Sequence, residues 1–338
     1  MLADGSTRFV KLSRESCSWI LAASAITQIF EQFHGQAIMR VLVTGGTGFI
    51  GRWAAASLAA AGHEVFVVSR KLATMQGCKI IVADLLDPSM AEVALTISKP
   101  EVVLHLAWDV EHGKFWDAEA NLRWTVATIQ LVSAAHRAGV RRIVCAGTCM
   151  EYDLSSGHAC SEVETSIRPS TLYAVSKDAA RRIIEELAAT RGIEFAWGRL
   201  FFLFGPNEHP NRLVSSIVTN LLARRPVLMS SGVQVRDFTN VRDAGEALAT
   251  LAVSKVNGAV NIASGEALRI KELAEEIRAV AGGVGELRFG ALPDRPNEPP
   301  VIVADVTRLR NEVGYRPIGT MRDRLSETIQ WWQGRLEV

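Results

Sequence analysis

Apolar and polar positions along this chain fall into two alternating kinds of segment. Short continuous apolar runs read as buried strands, and longer amphipathic runs read as helices. Val41, Leu42 and Val43 form the first apolar run and lead directly into Gly45, Gly48 and Gly51. An amphipathic, alanine-rich helix is expected over residues 52–61. Further strands are expected over 64–69, 79–84, 101–107, 142–148 and 194–204, the last stopped by Gly205-Pro206. Long helices are expected over 115–138, ending at Gly139, and over 170–190, closed by Gly192. Strands and helices alternating through short connections predict an α/β fold with a doubly wound parallel sheet.

After Pro206 the alternation loosens. Residues 212–223, 270–281 and 321–332 read as helices, 259–263 as a short strand, and 292–300, with four prolines, as an irregular connector. The expected division is a sheet domain over 39–204 and 236–264, with a smaller, partly interleaved C-terminal substrate lobe over 205–235 and 265–338.

The glycine triplet carries the first chemistry. Gly45 permits a sharp turn, Gly48 leaves room for a pyrophosphate at the backbone, and Gly51 lets the helix pack against the strand. The helix N-terminus, with Phe49 and Ile50 at its entry, offers unbonded N–H groups and partial positive charge to phosphates. Such a triplet between strand and helix favours dinucleotide binding over an ordinary turn. At the end of the second strand, Ser69, Arg70 and Lys71 stand where an NAD-specific domain carries an acid, which favours NADP(H) over NAD(H).

Tyr173 and Lys177 are four residues apart on one predicted helix, so their side chains share a face. An ammonium near a phenol favours phenolate and makes tyrosine a usable acid–base near neutral pH. Thr148 ends the fifth strand, where ligands bind in such sheets, and offers a hydroxyl to the same substrate oxygen.

Together, Thr44-Gly-Gly-Thr-Gly-Phe-Ile-Gly51, His105-Leu-Ala107, Thr148 with Tyr152, Tyr173 with Lys177, Gly205-Pro206 and Arg236-Asp-Phe238 resemble the extended short-chain dehydrogenase/reductases. The nearest branch is that of NAD(P)-dependent nucleotide-sugar epimerases, dehydratases and reductases. The resemblance runs from Arg40 to about Trp332 and implies a Rossmann-type fold. It implies that Thr148, 25 residues before Tyr173, joins Tyr173 and Lys177 as a catalytic residue. It also implies that Asp84 and Leu85 lie by the adenine, that Leu106, Ala107 and Asn121 line the cofactor cleft, and that Phe201 sits by the nicotinamide. Arg236 and Arg295 match arginines that hold the sugar-nucleotide diphosphate, for which guanidinium forks are suited. Trp108, Cys149 and Met150 are expected to line the sugar pocket. For Cys149 a packed thiol is as good a reading. His105 reads as a packed strand residue and is given no chemistry.

The sequence departs from that pattern at functional positions. Family dehydratases carry Asp-Glu after the threonine, to move a proton and a hydroxyl; Cys149-Met150 here cannot. Phe202 stands where UDP-sugar epimerases carry an asparagine. These departures favour a 4-ketoreductase of a nucleotide-linked 4-keto-6-deoxy sugar. A nucleotide-sugar 4-epimerase with retained NAD is the alternative, and a non-catalytic dinucleotide sensor a more distant one.

The chain has 338 residues, 48% of them hydrophobic, enough for one large or two joined domains. A net charge of +1 gives no footprint for nucleic acid or an acidic membrane. Five cysteines, without metal-ligand spacing, suggest reduced thiols, no metal and a cytoplasmic protein. Residues 1–38 read as a non-essential extension, with Met39 a natural start and an amphipathic docking helix the lesser alternative. Their apolar stretch, 19–30, is too short to span a membrane. The two long helices suit the resembled family's dimer interface, so a homodimer is expected.

Overall fold

Val41, Leu42 and Val43 lie at the centre of β1 (Arg40–Thr44) and are fully buried. A computed structural model describes residues 37–336 of the chain, so residues 1–36 of the expected extension lie outside the described residues. β1 sits in the middle of a parallel sheet with β2 (Glu64–Ser69), β3 (Cys78–Val82), β4 (Val102–His105), β5 (Arg142–Thr148), β6 (Glu194–Leu200) and β11 (Gly258–Ile262). The seven strands run in the order β11-β6-β5-β4-β1-β2-β3. Strand order therefore reverses between β1 and β4, and such a switch point opens a crevice at the strands' carboxyl ends.

Helices α2 (Pro88–Ser98), α3 (Ala120–Arg137) and α4 (Leu172–Arg191) cover one face of this sheet. Burial of Leu131, Ile184 and their neighbours there contributes about 1.5–3 kcal/mol per large side chain. α1 (Gly51–Ala60) packs closely on α6 (Val241–Val253): a Cβ at Gly245 would lie 2.5 Å from Trp53 Cβ. Arg142 donates to the carbonyls of Leu251, Ala252 and Val256, fastening the carboxyl end of α6 to the foot of β5. A second core joins α5 (Leu213–Leu222), α7 (Ile270–Val280) and α9 (Met321–Leu336) through Phe204, Leu221, Leu273, Ile277 and Trp332. The short strands β8 (Val227–Leu228) and β9 (Val235–Arg236) and the short helix α8 (Thr307–Asn311) lie between these larger elements along the chain.

The strands expected over 79–84 and 101–107 are shorter, Cys78–Val82 and Val102–His105, and two further boundaries differ in ways that shape the site. The run 194–204 is two strands, because β7 (Phe202–Phe204) leaves the main sheet and pairs with β10 (Phe238–Asn240). The helix expected over 115–138 begins at Ala120. Residues before it form turns whose aromatic rings, Phe115 and Trp116, pack edge-on against Tyr173.

Candidate functional site

At the crevice, Gly45 has a φ of +67°, and a Cβ there would lie 2.8 Å from the backbone N of Ala107. At Gly51 a Cβ would lie 2.2 Å from Gly45 O. Both positions therefore require glycine, and the bare backbone they leave is the cradle a dinucleotide pyrophosphate fits. Arg52 folds back on this loop, donating to the carbonyls of Thr47 and Gly48. Thr44 Oγ1 accepts from the N–H groups of Leu106 and Ala107, which ties the two lips of the crevice together. His105 is a strut beside them, bonded to Thr44 and Thr128; burial, then the charge of Lys177, lowers its pKa to about 3.

Along the crevice, Ser69 is buried at the end of β2 and accepts from the N–H of Lys71, while Arg70 and Lys71 are exposed. Asp84 is exposed and Leu85 buried beyond the end of β3. Asn121 is buried; its amide donates to Phe115 O and Ala118 O and accepts from the indole of Trp108. Phe49 and Ile50 are half-buried, and Phe201 is buried.

Thr171 caps the N-terminus of α4 through its side chain, which fixes the first turn, where Tyr173 lies. One turn on, the Lys177 ammonium donates to Ala146 O at 2.8 Å. Thr148 ends β5, and its side chain reaches the Tyr173 phenol. Burial pushes the Tyr173 pKa well up, opposed first by the Thr148 hydroxyl. Burial brings the Lys177 pKa down to about 7, opposed by the negative charge of Glu151. The fold thus brings Thr148, Tyr173, Lys177 and Trp108 together beside the glycine cradle.

The expected sugar-side residues divide into two groups. Cys149 is buried, and burial pushes its thiol pKa up; the charges of Asp237 and Arg236 also act on it, and Met150 beside it is half-buried. Arg236 is itself buried over the Phe202 ring and ion-paired with Glu298 at 2.8 Å. Arg295 is exposed in the proline-rich connector, and its charge reaches His112, whose ring stacks on His209 at 5.0 Å.

Sequence reasoning missed Arg212, whose charge acts on both Tyr173 and His112, and the buried pair of Glu151 with Arg199. Opposite charges within two otherwise largely apolar stretches, 143–152 and 195–204, were the available signal for that pair. Among the described residues no His/Cys/Asp/Glu cluster could hold a metal ion, and no helix is long and apolar enough to cross a membrane.

A doubly wound sheet with a glycine cradle at its switch point defines a dinucleotide-binding protein of the Rossmann type. The chain belongs to the NAD dependent epimerase/dehydratase family, whose model matches residues 41–263. It is similar to UDP-glucuronic acid decarboxylase 1 of Xenopus tropicalis, 26% identical over 88% of this chain and 73% of that one. It is also similar to dTDP-6-deoxy-L-talose 4-dehydrogenase (NAD(+)) of Aggregatibacter actinomycetemcomitans, 24% identical over 71% of this chain and 90% of that one. Among solved structures, the UDP-glucose 4-epimerase of Thermus thermophilus in complex with NAD aligns with a TM-score of 0.78. It is 25% identical, over 88% of this chain and 99% of that one. The protein is thus an enzyme of the extended short-chain dehydrogenase/reductase class, with a nicotinamide dinucleotide as its cofactor.

Proposed function

We propose that this enzyme is a 4-ketoreductase of a nucleotide-linked 4-keto-6-deoxy sugar. The observation that carries the reading is Thr148, Tyr173 and Lys177 gathered at the end of β5, followed by Cys149-Met150 instead of an acidic pair. The first group can protonate an oxygen, and the second cannot run an elimination.

When bound, a reduced nicotinamide supplies the hydride. The glycine cradle, Phe49 and Ile50 hold the dinucleotide, with Asp84, Leu85, Leu106, Ala107, Asn121 and Phe201 along its length. Ser69, Arg70 and Lys71 recognise a ribose 2′-phosphate, which makes NADP(H) the preferred form. Thr148 donates a hydrogen bond to the C4 oxygen of the sugar, and Tyr173 gives that oxygen its proton as charge develops there. Lys177 steadies the phenolate left behind and holds the cofactor ribose. Arg236 and Arg295 hold the diphosphate, joined by Arg212, while Trp108, Cys149 and Met150 line the sugar. The enzyme works as a cytoplasmic homodimer.

The test is turnover of a panel of nucleotide-linked 4-keto-6-deoxy sugars with NADPH and NADH, followed at 340 nm. Reduction of at least one, abolished in Tyr173→Phe, supports the reading. Interconversion of 4-hydroxy epimers without net cofactor turnover would overturn it for the second reading, a 4-epimerase. That alternative is favoured by the likeness to the Thermus UDP-glucose 4-epimerase. The packing of Phe202 on Phe238 and beneath Arg236 weighs against it, since an apolar ring stands where those epimerases carry an asparagine.

A further inference from the structure

Directly beneath Thr148, the carboxylate of Glu151 is fully buried and completely engaged. One oxygen accepts from the backbone N–H of Thr148 at 2.9 Å and from the Trp197 indole at 3.0 Å. The other accepts from Arg199 Nε at 2.8 Å and from the same indole at 3.1 Å. Arg199 is held in turn: it donates to the Tyr152 hydroxyl at 2.9 Å and lies over that ring, and Tyr152 donates to Asn261 at 2.7 Å. Gly147 makes room for this arrangement, since a Cβ there would lie 2.0 Å from the Trp197 indole nitrogen and 2.7 Å from Glu151. A pair of ions placed so deep offers little net stability over apolar side chains of similar size. Its position, at the hinge between β5 and the turn that carries Thr148 toward Tyr173, suits a functional role.

We propose that Glu151 is a positioning residue for the Thr148–Tyr173–Lys177 group. Its carboxylate clamps the Thr148 backbone two residues beyond the Ala146 carbonyl that holds the Lys177 ammonium, so it fixes the end of β5 that carries the Thr148 hydroxyl and places a counter-charge for Lys177 there. The second part follows from what surrounds Lys177. Its neighbours are the Ala146 carbonyl, the Trp108 ring, neutral His105, the thiol of Cys145 and Glu151. Burial keeps the Cys145 thiol protonated, with its pKa raised to about 12, so Glu151 is the anion in that set. Facing Glu151 itself are Arg199, Tyr173, Cys149 and Lys177. The clamp exists whatever the substrate, whereas its catalytic purpose rests on the reading above.

The experiment titrates Lys177 directly, by NMR of enzyme labelled with 13C-lysine, its signal assigned by its loss in Lys177→Arg. Wild type is compared with Glu151→Gln, which keeps the side chain's shape and one accepting oxygen and removes the charge. A third sample, Glu151→Gln with Arg199→Gln, leaves no buried guanidinium unpaired. The expected result is a Lys177 midpoint about one pH unit lower in both variants. With a turned-over sugar in hand, the alkaline limb of kcat/KM moves down by the same amount. Unchanged midpoints in two folded variants would overturn the proposal, leaving Glu151 a structural strut. A midpoint lowered in the single variant and restored in the double one would also overturn it, by assigning the shift to unpaired Arg199. Failure to find any sugar substrate defeats the proposed reaction and leaves the titration to decide the role of Glu151.

Discussion

The ammonium of Lys177 lies 3.8 Å from the centre of the Trp108 ring. Ring and carbonyl together are a modest substitute for the water an ammonium loses on burial, so Lys177 carries a pKa brought down to about 7. A depressed pKa on a basic group means that the unfolded chain binds the proton more tightly. The penalty is complete below pH 7 and fades as pH rises from about 7 toward about 10, the ordinary lysine value. Lys177→Met is therefore expected to raise the Tm at pH 6, with the gain over wild type shrinking by pH 9, while turnover is lost. Thermal melts of both proteins across that range check this; a gain independent of pH would show that ionisation is not its source.

Some of this site was legible because its logic is local. Tyr173 and Lys177 are one helical turn apart, and the glycine triplet follows one strand, so spacing alone brings each group together. The strands 64–69 and 142–148 were legible for a similar reason, as apolar runs with sharp ends. α6 was not recognised, because it is buried almost all round and shows no polar stripe. α2 escaped too: Val93 and Ile97 are exposed while Leu95 is buried, which blurs the helical period. The change of sheet after Leu200 was hidden inside one apolar run. Glu151 and Arg199 are 48 residues apart and meet only through the pairing of β5 with β6, which no short window contains.

Tyr173 sits under the rings of Phe115 and Trp116, a setting that favours the neutral phenol needed to donate a proton. Tyr173→Phe keeps those ring contacts and deletes only the hydroxyl. Turnover is expected to fall by about 10²–10⁴, with dinucleotide Kd changed less than about threefold. Steady-state assays and fluorescence titration measure the two quantities; retention of more than about a tenth of wild-type kcat would remove Tyr173 from the chemistry.

On the outer faces of α3 and α4, Leu122 and Val126 are 52% and 54% exposed, and Val175 and Ile183 are 45% and 48% exposed. Two neighbouring helices presenting aliphatic side chains to solvent suit burial against a second copy of the same pair. Leu122→Glu with Ile183→Glu is expected to convert a dimer to a monomer by light scattering at micromolar concentration, with the far-UV circular dichroism unchanged. A wild-type protein that is monomeric at that concentration would contradict the proposed assembly.

Cofactor preference turns on the end of β2. Ser69 is buried there with its hydroxyl 3.5 Å from that of Thr47, and Arg70 and Lys71 extend into solvent beside it. An aspartate or glutamate at this place would accept bonds from both ribose hydroxyls and repel a 2′-phosphate. Here the local charge has the opposite sign, and Arg52 adds to it from the start of α1. Fixed against the phosphate, Arg70 would contribute a charge-assisted bond of about 1.5–3 kcal/mol, which is more than tenfold in affinity. Arg70→Ala is accordingly expected to weaken NADPH more than tenfold and to leave NADH nearly unchanged, read as Kd by fluorescence titration. The solved Thermus relative is bound to NAD, so the measurement discriminates sharply. A wild-type preference for NADH, or equal losses for both cofactors, would assign Ser69, Arg70 and Lys71 to an ordinary solvated loop and the enzyme to NAD(H).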